Sequence, residues 1–253
     1  MIRETFVSEN SLINKLDPRT RVISAVVFAV VVALSSGFAT LFTAFVLALF
    51  FIGLSRLHLQ IVAKRVAVVN IFIFFFWAVL PFTFKGTAMF SIGPFSVSQQ
   101  GVLLAAKITL KSNAILLCFI ALVAAIPLGL LGHAMGRLRV PNKMVQLLLL
   151  TYRYLFVIEQ GYQRLLTAAR VRCFHAKTKL HTYKTYAFIV GMLFVRASEQ
   201  AERVHQAMRC RGFSGKFVSL YEFSFCRTDA AWAVFMAVLV TCLEIMEWMK
   251  IMQ

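Results

Sequence analysis

Charge is scarce in this sequence, and acidic charge scarcest of all. Only 15% of the 253 residues are charged, and ten acidic residues stand against 27 basic ones. Hydrophobic residues make up 60%, and the mean hydropathy is +0.79. A soluble domain of this length has no interior large enough to hide so much apolar side chain, so the bilayer must serve as solvent for much of the chain. The 12 Gly and five Pro are too few for linker or low-complexity material. The five cysteines (Cys118, Cys173, Cys210, Cys226 and Cys242) are odd in number and contain no CxxC pair, which supports neither a zinc site nor a disulfide framework.

Several catalytic patterns are missing as well. No GxxxxGK[ST] phosphate loop occurs, and Gly215-Lys216 lacks both the upstream spacing and the following hydroxyl residue. HExxH and GxSxG are absent. The five histidines, His58, His133, His175, His181 and His205, lack the close spacing of a transition-metal site. The ten Met are scattered, and in a membrane core Met is more often packing than ligand. ATP and any metal are therefore expected on other chains, and no cofactor is expected here.

The net charge of +17 would suit nucleic acid, but its placement points elsewhere. Between Arg137 and Lys216 there are 15 Lys and Arg against Glu159, Glu199 and Glu202, a local charge of +12 between hydrophobic segments. That is a positive-inside signature, which marks the cytoplasmic side and attracts lipid headgroups. No nucleic-acid partner is expected. The polar stretch from Met1 to Arg21 precedes the first apolar run at Val22, which reads as a permanent span rather than a cleaved leader.

A spanning helix needs about 20 mainly apolar residues. Val22 to Ser55 is uncharged but interrupted by Ser35, Ser36 and Gly37, which predicts a tight hairpin of two helices. Asp17 and Pro18 suit the N-cap and first position of the first helix, expected over Pro18–Ser35, with the second over Phe38–Ser55. Arg56, Lys64 and Arg65 place the next loop, and with it the N-terminus, in the cytoplasm. A third span is expected over Val66–Phe84 with Pro81 near its end, then a short outer loop or hairpin over Lys85–Gly101 carrying Gly86, Gly93 and Pro94. The fourth ends near Ile126 and Pro127, with Lys107 and Lys111 on one face. Those two amines either contact a partner subunit or polar cavity, or snorkel to the outer headgroups from a helix that starts near Ser98.

Two long helices are expected next, Asn142–Arg172 and Tyr183–Arg211. The uncharged stretch Thr185–Val195 has 11 residues, too short to span. A last span is expected over Asp229–Met249, with Trp232 and Trp248 where interfacial aromatics belong. Glu244 and Glu247 lie in its last turns, where interfacial solvation makes a carboxylate inexpensive. The fold class is all-α: a polytopic membrane protein of about five transmembrane helices plus two long cytoplasmic helices. Its divisions are 1–126, N-terminal membrane helices; 127–227, a cytoplasmic region; and 228–253, a C-terminal membrane helix.

The most informative pattern is a repeat at an offset of 39 residues. Ala168-Ala169-Arg170-Val171-Arg172-Cys173-Phe174 aligns with Ala207-Met208-Arg209-Cys210-Arg211-Gly212-Phe213. Each copy closes a long helix, where a guanidinium complements the negative end of the helix dipole and offers a planar fork to a carboxylate on another chain. Two ordinary basic helix ends are an equal reading of the pattern alone. Arg153 in Tyr152-Arg153-Tyr154 has two readings as well: it stacks and orients its helix, or it marks where that helix leaves the membrane.

The doublet resembles the paired X-Arg-X motifs on the coupling helices of the transmembrane T component of energy-coupling factor transporters, in particular its CbiQ-like, cobalt and nickel branch. Leu16-Asp17-Pro18-Arg19-Thr20-Arg21, Tyr152-Arg153-Tyr154 with Glu159, and Gln206-Ala207-Met208 leading into Arg211-Gly212-Phe213 agree with it. The resemblance implies a non-catalytic scaffold in a bacterial or archaeal cytoplasmic membrane. Such a scaffold links two ABC ATPases, which hold ATP and Mg, to a substrate-binding S component. By position, Arg172 and Arg211 would seat in the ATPases, with Ala168, Arg170, Ala207, Arg209 and Gly212 around them. Asp17, Arg19, Arg153, Lys107 and Lys111 are candidates for helix orientation or subunit contact. Val171, Cys173 and Cys210 depart from the commoner Ala-Arg-Gly form. The same scaffold serving a vitamin is the near alternative. A stand-alone channel or secondary transporter is the alternative from another class, but it would need midplane ionisable residues and a repeat of whole membrane halves.

Overall fold

The architecture is that of a computed structural model, which describes residues 16–55, 57, 59–83, 88–92, 95–138, 140–213, 215 and 227–251. Arg56, Lys85, Gly86, Gly93, Pro94, Lys216 and the N-terminal 15 residues lie outside the described residues. Helix α1 (Pro18–Leu34) starts where the cap predicts: the Asp17 carboxylate accepts the Arg19 backbone N–H at 3.0 Å, and Pro18 occupies the first turn. It stops at Ser35, whose hydroxyl donates to the Val31 carbonyl at 2.9 Å, and α2 (Phe38–Ser55) returns.

Helix α3 (Leu59–Thr83) begins seven residues before the expected Val66. Lys64 and Arg65 sit in its early turns, because a helix continues into solvated residues beyond the apolar stretch. A small antiparallel hairpin, β1 (Ala88–Ile92) and β2 (Phe95–Ser98), leads into α4 (Gln99–Leu122). The Ser98 hydroxyl caps α4 by accepting the Gly101 N–H at 3.3 Å. Then come α5 (Leu128–Arg137), which the sequence patterning did not reveal, α6 (Asn142–Val171), α7 (Leu180–Cys210) and α8 (Arg227–Ile251).

The protein is an all-α polytopic membrane protein. Among the described residues four helices are long and apolar enough to span: α2, α3 as far as Pro81, α4, and α8 as far as Met249. About five spans are expected from the sequence, and α1 is the fifth candidate. Helix α1, the remaining candidate, has 17 residues and lies at the lower limit of about 17 for a spanning helix.

The chain divides into two compact units, 1–127 with 222–253, and 128–221. In the first, Phe28, Phe51, Leu122, Met236 and Leu243 share one core with the small residues Ala44, Ala48, Ala114 and Cys118. Ala44 and Ala48 on α2, and Ala114 and Cys118 on α4, are spaced four apart, which lets membrane helices approach closely. Trp232 packs against Phe51 at 5.8 Å between ring centroids rather than standing free as an interfacial anchor. Trp248 is exposed.

Polar side chains tie the helix ends of this unit together. The Asp17 backbone N–H donates to Asp229 Oδ1 at 2.8 Å, joining the starts of α1 and α8. Buried Arg21 donates through Nε to the Leu122 carbonyl at 3.0 Å, and Ser55 Oγ reaches the Ala121 carbonyl at 3.3 Å, so α1 and α2 both cap the end of α4. At the other end of α1, Lys111 Nζ donates to the Ala33 carbonyl at 2.6 Å. Glu247 lies in the last turns of α8, as expected, and makes specific contacts there. Its carboxylate accepts from the Ser36 and Gly37 N–H groups and the Ser36 and Thr40 hydroxyls at 2.8 to 3.0 Å. It thus caps the positive end of α2 from another helix.

In the second unit α5 packs closely on α6, with the Gly132 Cα facing the Leu149 side chain and Gly136 facing Val145. Gly161 of α6 faces Leu193 of α7.

Candidate functional site

The two copies of the sequence repeat fold into the same local structure. Helix α6 ends with Arg172 at the C-cap, followed by Cys173 at φ 62° and Phe174. The Phe174 N–H returns to the Ala169 carbonyl at 3.1 Å and the Cys173 N–H to the Arg170 carbonyl at 3.0 Å. Helix α7 ends with Arg211 at the C-cap, Gly212 at φ 71° and Phe213. There the Phe213 N–H returns to Met208 and the Gly212 N–H to Arg209, each at 3.0 Å. Both are Schellman motifs, in which one left-handed residue closes the helix and satisfies its last carbonyls. The repeat is therefore two copies of one helix-ending device, each with arginine at the position before the left-handed residue.

With the backbone satisfied internally, the arginines are left for other work. Arg170, Arg172, Arg209 and Arg211 are exposed, and none makes an ion pair or side-chain hydrogen bond among the described residues. Ala168, Ala207 and Gly212 are exposed beside them. Each tip therefore offers a guanidinium at the negative end of a helix of 30 or 31 residues, with small neighbours that leave room for an approaching surface. Phe174 anchors the first tip by packing edge-on against Tyr186 at 5.7 Å.

The remaining candidates fall into place singly. Asp17 and Arg19 belong to the capped start of α1, with Arg19 Nε 4.0 Å from the Asp17 carboxylate. Lys111 caps α1, while half-buried Lys107 stands one turn earlier on α4, in keeping with a helix that starts at Ser98. Arg153 is exposed, with its guanidinium carbon 5.9 Å from the Tyr154 ring centroid, at the outer limit of a cation–π contact. Among the described residues no three His, Cys, Asp or Glu side chains gather as metal ligands would.

The apolar stretches of the two long helices, expected to lie at an interface or to pack on other helices, form a second feature of this unit. The first half of α6 and much of α7 carry large apolar side chains in the open, including Met144, Leu147, Leu155, Phe188 and Phe194, the last two 77% and 72% exposed. A groove of about 860 Å³ between the two helices is lined by Leu150, Tyr154, Ile158 and Leu193 together with Arg164 and Arg203. Soluble surfaces seldom leave patches of this kind uncovered. The signal in the sequence was the spacing of apolar residues along helices too charged to span.

Fold and tips define a class: a polytopic helical membrane protein with a non-spanning helical unit that ends in paired basic tips. The family described as CbiQ, cobalt transport protein, matches residues 9–220, and the chain belongs to it. It is 29% identical over 150 residues to the cobalt transport protein CbiQ of Rhodobacter capsulatus, an alignment covering 56% of this chain and 61% of that relative. It is 27% identical over 221 residues to the energy-coupling factor transporter transmembrane protein EcfT of Brevibacillus brevis, covering 83% of each. The EcfT of Bacillus subtilis is 25% identical over 229 residues, covering 85% of each. The two EcfT relatives are thus named as transmembrane proteins of a transporter.

Proposed function

We propose that this chain is the transmembrane coupling subunit of an energy-coupling factor importer in a cytoplasmic membrane, with cobalt or nickel as cargo. The observation that carries it is the pair of matched helix ends, with Arg172 and Arg211 free at equivalent positions. Two ABC ATPases would each receive one arginine in a carboxylate-bearing groove. The exposed apolar faces of α6 and α7 would lie against a substrate-binding membrane subunit. ATP-driven closure of the ATPases would move the two tips, and the long helices would act as levers on that subunit. The chain itself would do no bond chemistry. The +12 of the region between Arg137 and Lys216 keeps it on the cytoplasmic side.

Support for metal as cargo comes from the CbiQ family and the Rhodobacter relative. The EcfT relatives favour a second reading, the same scaffold serving other substrates. Proteoliposomes separate these readings. The chain alone should take up neither cobalt nor nickel. Co-reconstituted with its ATPases and substrate-binding subunit, it should import one of them only with ATP. Metal uptake by the chain alone would establish the channel reading instead.

A further inference from the structure

Helix α3 carries a polar side chain where a spanning helix has least use for one. Asn70 stands midway along its apolar stretch, eleven residues from Leu59 and eleven from Pro81. At about 1.5 Å of rise per residue it lies about 16 Å from either end. Asn113 of α4 meets it: its Nδ2 donates to Asn70 Oδ1 and to the Thr109 carbonyl, both at 2.9 Å. The contact with the carbonyl fixes which way the Asn113 amide points. Thr109 is complete, since its hydroxyl donates to the Ala105 carbonyl at 2.8 Å and accepts the Trp77 indole N–H at 2.9 Å. Two groups are left over. Asn113 Oδ1 is buried without a donor, and the Asn70 amide nitrogen has no acceptor among the described residues.

Beside them lies a recess of about 250 Å³ lined by Asn70, Ile73, Phe74, Trp77 and Thr109, several times the ~30 Å³ that one water takes up in the liquid. Helix α3 is also the least covered span, with 11% of its most apolar stretch buried against 39% for α2. Acyl chains have no acceptor to offer Asn70, and ester and phosphate groups lie at the interface, too far to reach it. The large Phe74 and Trp77 side chains around the recess hold the backbone of a neighbouring helix, and with it the carbonyls, away from Asn70. A carboxylate at this depth would be strongly disfavoured. An uncharged side chain with an exposed oxygen remains, and a carboxamide carries both the acceptor that Asn70 lacks and a donor of the kind Asn113 Oδ1 lacks.

We propose that this recess receives an Asn or Gln side chain from the middle of a transmembrane helix of the substrate-binding subunit, making α3 a second docking surface, inside the membrane. Polar side chains between membrane helices act as such glue. From Asn70 outward the exposed face is Ile71, Phe72, Phe74, Phe75 and Trp77, with Ala78 a lone small residue and no second one at the four-residue spacing that close self-pairing of helices uses. The identity of the subunit rests on the function proposed above; the chemistry of the recess does not.

The test is a photo-crosslinking benzoylphenylalanine in place of Phe74, which is 74% exposed, in the complex purified from its own membranes. The adduct should map to a transmembrane helix of a subunit that co-purifies with the chain and its ATPases, with Asn or Gln within one turn of the crosslinked residue. Asn70→Leu should lower its yield at least tenfold with the ATPases still bound. Asn70→Gln, which keeps the amide, should retain most of it. An adduct to a second copy of this chain, an adduct to lipid alone, or equal loss in both variants would overturn the proposal. Isolation of the unsubstituted chain without ATPases would instead overturn the function it is set in, and the adduct would still report on the recess.

Discussion

The tip of α6 closes on a cysteine where the tip of α7 closes on a glycine, and that difference can be measured. Cys173 sits at φ 62°, a conformation in which an L-residue crowds the following carbonyl at about 1 to 2 kcal/mol. Gly212 adopts φ 71° without that penalty, and a Cβ added there would meet nothing within 4 Å. Changes at either site therefore act through backbone conformation and not through tertiary contacts. Cys173→Gly relieves the crowding but gives up part of the gain to the greater freedom of glycine in the open chain, roughly 0.5 to 1 kcal/mol. The net gain should be about 0.5 to 1 kcal/mol, and Gly212→Ala should lose about 1 kcal/mol. The local opening of the tip reports this directly, since the Phe174 and Phe213 N–H groups are the closing bonds. Hydrogen exchange in detergent should slow two- to fivefold at Phe174 in the first variant and speed up about fivefold at Phe213 in the second, because 1.4 kcal/mol corresponds to tenfold. Unchanged exchange at both tips, or faster exchange after Cys173→Gly, would refute the Schellman assignment.

Other predictions concern the membrane unit and α5. Gly101→Ala places a Cβ 2.7 Å from the Leu80 carbonyl oxygen and 2.9 Å from the Pro81 Cα, backbone atoms that cannot give way. It should lower stability by about 1 to 3 kcal/mol and depress the detergent melting temperature. Gly132→Ala meets only the flexible Leu149 Cδ2 at 2.7 Å and should lower it less. Glu247→Ala removes the acceptor for the start of α2 and should cost about 2 to 3 kcal/mol, seen as a lower melting temperature, with Glu247→Gln recovering part of the loss.

The local signals in the sequence were read more easily than the long-range ones. Asp17 and Pro18 announce the first residue of α1, and Ser35 to Gly37 the hairpin, because caps and turns depend on neighbours in sequence. Helix α5 escaped notice, since ten residues with three glycines read as a connection, and they gain their order by packing on Leu149 and Val145. The role of Glu247 was hidden for another reason: its partners Ser36, Gly37 and Thr40 are more than 200 positions away. Asn70 drew no attention for want of charge, although a carboxamide inside an apolar run is the same kind of signal as Lys107 and Lys111. The repeat was visible as letters, but Cys173 in the glycine position obscured the fact that both copies share one backbone.

Coupling through the two tips is the central claim, and a single double substitution tests it most directly. Arg172 and Arg211 are exposed and pair with nothing in the described chain, so removing them leaves no buried charge behind. Expression and membrane insertion of Arg172→Ala with Arg211→Ala should match the unsubstituted protein. At an ATPase surface each loss could cost about 2 to 5 kcal/mol, because the partner carboxylate is left uncompensated. Linked binding at two sites makes the double loss far larger than either one. ATP-dependent uptake of cobalt or nickel should therefore vanish, and the ATPases should no longer co-purify. Full uptake with both ATPases retained would contradict the account.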